Sequence, residues 1–314
     1  MKKIIGLFAL MLILNGCDDG NLTIETINFE DVTAVKCTNS DVVYKIKDNE
    51  AMILEIPASS FINEPTAVGV TRDVIINATN KVTYRSYAGT IATANICALV
   101  QPSTPDIMEE WTAVSGTIEI TTTANVVPNT SSTAGNATKI TGYTHYIEFK
   151  GITFDKPGVD QLYETYVFGN YVKNITPLPF AFDEDADKCI SSNIVYNFSG
   201  SESLVLDIPP SFFPTASGTQ TGLISATNKV TYKFYESGLN SSYFCASPTP
   251  TTPILKEQWN ANDGVTGVSG IIEVTTTTFG TGFQHTIRLK KVTFKKGLSE
   301  FYLGDDYLYG SFIN

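Results

Sequence analysis

Two histidines stand in matched surroundings, one in Thr144-His145-Tyr146-Ile147-Glu148-Phe149 and one in Gln284-His285-Thr286-Ile287-Arg288-Leu289. An imidazole titrates near neutral pH and can serve as a general base or a metal ligand. Either role needs a second group: a base must reach its proton and be oriented, and a metal site needs further donors. The two-residue strand period puts His145 on one face with Ile147 and Phe149, and His285 with Ile287 and Leu289. A histidine in register with an apolar face is expected to be a buried, hydrogen-bonded core residue.

The acidic residues offer less. Asp183-Glu184-Asp185-Ala186-Asp187 is like half a calcium loop, but lacks the central glycine and the bidentate glutamate of such a loop. It reads as a solvated turn, as do Asp305-Asp306. Glycoside hydrolysis needs two carboxylates and leaves no local signature. Glu119/Glu273 and Glu55/Asp207 are acids at matched strand positions, and on alternating strands they face solvent. No G-x-S-x-G elbow or H-E-x-x-H motif occurs. Gly280-Thr281-Gly282 lacks the third glycine of a dinucleotide loop and reads as a turn. The expectation is a chain with no catalytic, cofactor-binding or metal-ligating residues.

The matching of the histidines belongs to a larger pattern. Ala78–Arg85 (ATNKVTYR) returns as Ala226–Lys233 (ATNKVTYK), and Ser115–Thr123 (SGTIEITTT) as Ser269–Thr277 (SGIIEVTTT). Cys37/Cys189, Cys97/Cys245, Thr104-Pro105/Thr252-Pro253 and Trp111/Trp259 recur in the same order. One fold is therefore written twice. Short runs rich in β-branched and aromatic residues, such as Val42–Ile46, Met52–Ile56, Val82–Tyr87, Thr117–Thr122 and His145–Phe149, read as strands. Asn80-Lys81 and Asn228-Lys229 read as hairpin tips with Asn in the left-handed position. Thr104-Pro105 and Thr252-Pro253 read as the start of one short helix per copy, closed by Trp111 and Trp259 acting as core plugs. Tyr166–Tyr171 and Tyr307–Phe312 read as closing strands.

The expected fold is all-β: two tandem β-sandwich, jelly-roll-like modules, each with one short helix, over residues 17–170 and 171–314. The linker is expected near Asn170–Pro179. An immunoglobulin fold is disfavoured, because each tryptophan follows the second cysteine of its module. The cysteines allow three pairings, and the repeat favours Cys37–Cys97 and Cys189–Cys245. Each bridge would contribute ~4 kcal/mol in the chain-entropy model.

The copies differ in one loop. Ser115 to His145 spans 30 positions and Ser269 to His285 spans 16, so the first copy carries 14 extra residues around Val126–Ile140. This Pro-, Asn-, Thr-, Ser- and Gly-rich stretch is expected to be a long exposed hairpin tip, serving partner recognition or acting as a passive spacer. Surface charge differs too, at −10 for residues 18–170 (19 acids, 9 bases) and −3 for residues 171–314 (13 acids, 10 bases). The net charge of −11 argues against nucleic acid as a partner.

The N-terminus carries a targeting pattern. Lys2-Lys3 precede an apolar run, Ile4–Leu14, too short to span a bilayer and suited to a signal-peptide core. It ends in Leu14-Asn15-Gly16-Cys17, which resembles the lipobox of bacterial lipoproteins. The resemblance implies that residues 1–16 are a signal peptide and that Cys17 is lipidated. Asp18-Asp19 resemble the acidic surface-export signal of Bacteroidota lipoproteins, and the Thr- and Asn-rich body resembles β-rich tandem-repeat lipoproteins of Flavobacteria-like bacteria. The expectation is a lipid-anchored protein of the bacterial outer membrane, at the cell surface, that binds a protein or glycan ligand rather than catalysing a reaction. The rival expectations are a structural subunit of a fimbria-like or outer-membrane assembly and a carbohydrate-active hydrolase.

Overall fold

The computed structural model describes residues 27–190 and 192–314; the signal segment and Cys17 lie outside them. The chain is all-β, 53% strand and 5% helix. The first repeat supplies β1 (Val35–Lys36), β2 (Val42–Lys47), β3 (Glu50–Glu55), β4 (Arg72–Ile75), β5 (Lys81–Tyr87), helix α1 (Ala94–Cys97), β6 (Ile107–Pro128), β7 (Thr138–Asp155) and β8 (Gln161–Asn174). The second supplies β9 (Asp187–Lys188), β10 (Ile194–Ser199), β11 (Glu202–Asp207), β12 (Gly218–Leu223), β13 (Lys229–Tyr235), helix α2 (Ser242–Cys245), β14 (Leu255–Ala261), β15 (Ile271–Phe279), β16 (Gly282–Lys290), β17 (Val292–Lys296), β18 (Ser299–Gly304) and β19 (Tyr307–Ile313).

All strand pairs in both repeats are antiparallel, and the two follow one plan. In the first the order is β1-β2-β3-β5-β6-β7-β8, with β4 on the far half of β6. Strand β6 changes partners along its length. Trp111 pairs with Tyr84 of β5, and Ile118 pairs with Val74 of β4. The register against β7 slips at Ser115, where Gly116 has φ +127°. A Cβ at Gly116 would stand 2.8 Å from Ile152 Cα, so this bend requires glycine. In the second repeat the same path is cut into separate strands, giving β18-β17-β14-β13-β11-β10-β9 and β12-β15-β16-β19.

Alternation decides which side of each strand is buried. Ile118, Ile120 and Thr122 of β6 point inward with His145, Ile147 and Phe149 of β7, while Glu119 and Thr121 between them are half-exposed. Glu55, Glu273 and Asp207 also lie half-exposed on outward faces, and Glu273 pairs with Lys290 at 2.7 Å. Trp111 and Trp259 are 1% and 3% exposed, core plugs as expected. Full burial of a large apolar side chain is worth about 1.5–3 kcal/mol.

The disulfides join Cys37 to Cys97 and Cys189 to Cys245, each within its own repeat. The first ties α1 and its loop onto the outer face of β2-β3-β5, over a small cluster that includes Tyr44, Ile53, Tyr87 and Ile96.

Three local expectations are corrected. Among the described residues each repeat has one short α-helix, besides a single 3-10 turn, but the α-helix ends at the second cysteine and does not begin at Thr-Pro. Thr104-Pro105 and Thr252-Pro253 are cis peptides leading into β6 and β14, and the tryptophans stand inside those strands. A residue before proline avoids the helical region, which favours extended chain here. Asn80 and Asn228 do not mark hairpins, because β4 and β5 pair with different parts of β6. Neither has positive φ; each instead donates its side-chain amide to a carbonyl five residues earlier, Ile75 and Leu223. Finally, the Val126–Ile140 segment is a hairpin end, as expected, but it does not stand out in solvent, since Ala134, Ala137 and Ile140 are buried. Val126↔Ile140 and Pro128↔Thr138 continue the β6–β7 ladder, leaving a tip of residues 129–137 that packs against the second repeat.

Candidate binding site between the repeats

The β6–β7 hairpin reaches out of the first repeat and becomes part of the second. Ile140 and Tyr143 are buried in the same cluster as Val195, Trp259 and Phe301. The Tyr143 hydroxyl shares a 2.9 Å hydrogen bond with Ser299, and the Thr138 hydroxyl accepts the Tyr302 N–H at 2.8 Å. At the tip, Asp305 N–H donates to Gly135 O and Asp306 N–H to Ala134 O, both at 2.9 Å. Asn136 donates to the Asp305 carboxylate at 2.7 Å, and Tyr302 donates its hydroxyl to the other oxygen of that carboxylate, also at 2.7 Å. These bonds hold the Asp305 carboxyl below its ordinary value, while burial and then the Asp305 bond push Tyr302 up to about 12. Asp305, read from sequence as part of a solvated turn, is a clamp residue; Asp306 pairs with Arg288 at 2.9 Å.

The dock for the hairpin is specific to the second repeat. Strand β8 runs unbroken from Gln161 to Asn174, whereas its counterpart breaks at Asp305-Asp306 into β18 and β19. Gly304 sits at the break with φ +131°, packed on Ala134.

The linker begins at Ile175, after the end of β8 and later than the Asn170 expected from sequence, and runs to Ala186 before β9. Between hairpin, linker and β18–β19 lies a cavity of about 410 Å³. Its rim carries hydroxyl and amide side chains of the hairpin tip, among them Asn129, Ser131 and Thr133, and Asn63 of the first repeat. The Asn63 amide oxygen has no hydrogen-bond partner. Its other walls are aromatic: Phe180 and Phe182 of the linker, and Trp259, Phe301, Tyr302 and Tyr307 of the second repeat. Burial pushes the Tyr307 phenol far above its ordinary value. The linker is held by Glu202, a buried carboxylate that accepts Phe180 N–H at 3.0 Å, Ala181 N–H at 2.7 Å and the Tyr232 hydroxyl at 2.7 Å.

One wall is a repeated structural unit. Glu257 accepts the Trp259 indole N–H at 3.0 Å and pairs with Lys296 at 2.8 Å, and Lys296 lies 5.0 Å over the indole. Glu109 accepts the Trp111 N–H at 3.0 Å, and Lys156 lies 4.3 Å over that ring. Only in the second repeat do the hairpin and linker enclose this unit, among the described residues. Sequence reasoning marked the tryptophans as plugs and missed Glu257, Lys296 and the linker phenylalanines. The return of Lys156 as Lys296, two residues after Phe154 and Phe294, was the available signal.

The histidines lie elsewhere. His145 and His285 are fully buried, 2.8 and 2.9 Å from the hydroxyls of Thr122 and Thr276. Arg72 donates to the Thr122 hydroxyl oxygen at 2.9 Å, which leaves the hydroxyl proton for His145 Nδ1. Burial, with Lys173 and Arg72 nearby, lowers His145 to about 4, and burial also lowers His285. Both imidazoles are neutral at pH 7 and stand against Phe61 and Phe213. The acidic run 183–187 lies along β19, with Ser311 N–H donating to Glu184 O and Ala186 N–H to Ser311 O. Among the described residues, no group of three or more His, Cys, Asp or Glu is placed to hold a metal ion. No described helix is long and apolar enough to cross a membrane.

No family model, curated protein or solved structure matches the chain.

Proposed function

We propose that this is a lipid-anchored binding protein of the bacterial outer membrane, exposed at the cell surface through Cys17, that takes its ligand without catalysis in the cavity between the repeats. The observation that carries this reading is the composite nature of the cavity. Three segments remote in sequence, residues 129–143, 175–184 and 296–308, meet around about 410 Å³ of space with an aromatic floor and a polar rim. Small-molecule sites are of this size, roughly 300–1,000 Å³, and the lining here is mixed, somewhat more polar than apolar. The hairpin and the carboxylate of Glu202 fix the walls before any ligand arrives, which lowers the ordering cost of binding. The test is NMR chemical-shift mapping of a fragment library on the full-length protein. Hits gathered at Trp259, Tyr302 and the hairpin tip support the reading, and hits that avoid this region remove it.

A further inference from the structure

Resting on the reading of this cavity as a ligand site, we infer that its ligand is a short, uncharged saccharide. The rim offers neutral hydrogen-bonding groups, the hydroxyls of Ser131 and Thr133 and the amides of Asn63 and Asn129. Groups of this type both donate and accept, and so match ligand hydroxyls, which do the same.

The floor and far wall offer the other half of the match. Tyr302, Tyr307 and Phe182 are partly exposed aromatic rings on that side. Aromatic rings bury apolar area and cost little conformational entropy when they do so. A pyranose has an apolar face of C–H groups and a periphery of hydroxyls, and fits between the two.

Charge selects against an anion. Lys296 is paired to Glu257, and the remaining ionised lining groups are Lys139 against Asp183 and Glu184, an excess of one acid. A strongly anionic ligand would meet those two acids. The choice of an uncharged ligand over a cationic one rests on the rim, whose hydroxyls and amides are neutral. Among the described residues the Glu109–Trp111–Lys156 unit of the first repeat has no hairpin over it, so the stoichiometry is one ligand per chain.

The test is isothermal titration calorimetry of the full-length protein against neutral di- to tetrasaccharides of glucose, galactose, mannose, xylose and N-acetylglucosamine. Uronate oligomers and tripeptides run alongside. Ser131→Trp, an exposed rim position, serves to block the cavity, and chemical-shift mapping on the wild type locates the site should that variant fold poorly. The inference expects a neutral saccharide to bind at one per chain and to weaken about tenfold or more in a folded Ser131→Trp. Uronates or tripeptides binding in the cavity while neutral saccharides do not would overturn the ligand class and leave the cavity reading standing. A neutral saccharide that ignores Ser131→Trp and maps elsewhere overturns both. No binding by any neutral saccharide overturns the inference alone, since the fragment mapping decides the cavity reading independently.

Discussion

Asn136, at the tip of the first repeat's hairpin, donates its amide to the carboxylate of Asp305 in the second repeat across 2.7 Å. The same aspartate accepts the Tyr302 hydroxyl, and its backbone N–H reaches Gly135 O. Asp305 thus makes two of the bonds that join the repeats at the tip, and Asn136 supplies one of them, so the effects of losing Asn136 and Asp305 should not add. Asn136→Ala and Asp305→Ala are each expected to lower the melting temperature, and the double variant by less than the sum. Strict additivity across the cycle would show that the pair is not coupled.

Replacing residues 126–140 by the Phe-Gly-Thr-Gly turn of the second repeat removes Ile140 from the second repeat's cluster. Loss of a buried aliphatic side chain costs about 2–5 kcal/mol. Differential scanning calorimetry should show the second repeat melting earlier, apart from the first. A single unchanged transition would mean that the hairpin adds nothing to the second repeat.

Gly304 is tested by its missing methyl. A Cβ there would stand 2.5 Å from the Cβ of Ala134, on a backbone with φ +131°. Gly304→Ala is expected to cost about 1–3 kcal/mol. Adding Ala134→Gly should return part of the loss, because it removes the closest contact and leaves those with the Ala134 and Gly135 carbonyl oxygens, at 2.9 and 3.0 Å, and the backbone strain. Urea denaturation of the three variants reads this directly, and no recovery in the double variant counts against the docking described.

Glu202 is buried and accepts three hydrogen bonds. Truncating it leaves two linker N–H groups and a phenol without their acceptor. Buried donors left this way cost about 1–3 kcal/mol each, so Glu202→Ala should lose ~2 kcal/mol or more. Hydrogen exchange at Phe180 and Ala181 should rise with it. Unchanged protection there would show that the linker is held by other groups.

The histidines set a pH dependence with a definite sign. An unfolded histidine titrates near 6.5, while His145 in the fold is lowered to about 4 and His285 is also lowered. Between these values the unfolded chain binds more protons, so stability rises with pH across the window. Acidification from pH 7 should lower the melting temperature progressively from about pH 6.5, with the His145 share fully lost by about pH 4. The lowered carboxyls of Asp41 and Asp305 favour the fold above the unfolded carboxyl range and lose that advantage as pH falls through their folded values. His145→Gln with His285→Gln should flatten the slope between pH 6.5 and 4.5. A wild-type melting temperature that is flat from pH 7 to 5 contradicts buried, neutral imidazoles.

The anchor has its own check. Cys17→Ala is expected to move the protein from the detergent phase to the aqueous phase in Triton X-114 partitioning, because acyl chains at Cys17 supply the proposed membrane attachment. A variant that still enters the detergent phase would falsify lipidation at Cys17.

Strands, core histidines, tryptophan plugs and disulfide partners were legible because each is written locally or by repetition. The two-residue period placed His145 inward, and the recurrence of Cys37/Cys97 as Cys189/Cys245 set the pairing. The Thr-Pro steps misled, because a local capping pattern competes with pairing to β5, a partner some twenty residues earlier. The 129–137 tip hid its role in its composition. Ala134 and Ala137 look like filler until a glycine at 304 lets the backbones meet. The cavity was invisible for a related reason: its walls come from three stretches that only the docked hairpin brings together.

The hairpin and its dock also bear on how a duplicated gene can change. Two near-identical tracts in one reading frame invite recombination that overwrites one copy with the other. Here such an event would remove contacts between the repeats in either direction. Copying the short turn into the first copy would strip Asp305 of Asn136. Copying the unbroken β8 pattern into the second would erase Gly304 and Asp305 and leave the long hairpin with nowhere to sit. The halves repeat one plan, yet at this contact they differ as a key differs from its lock.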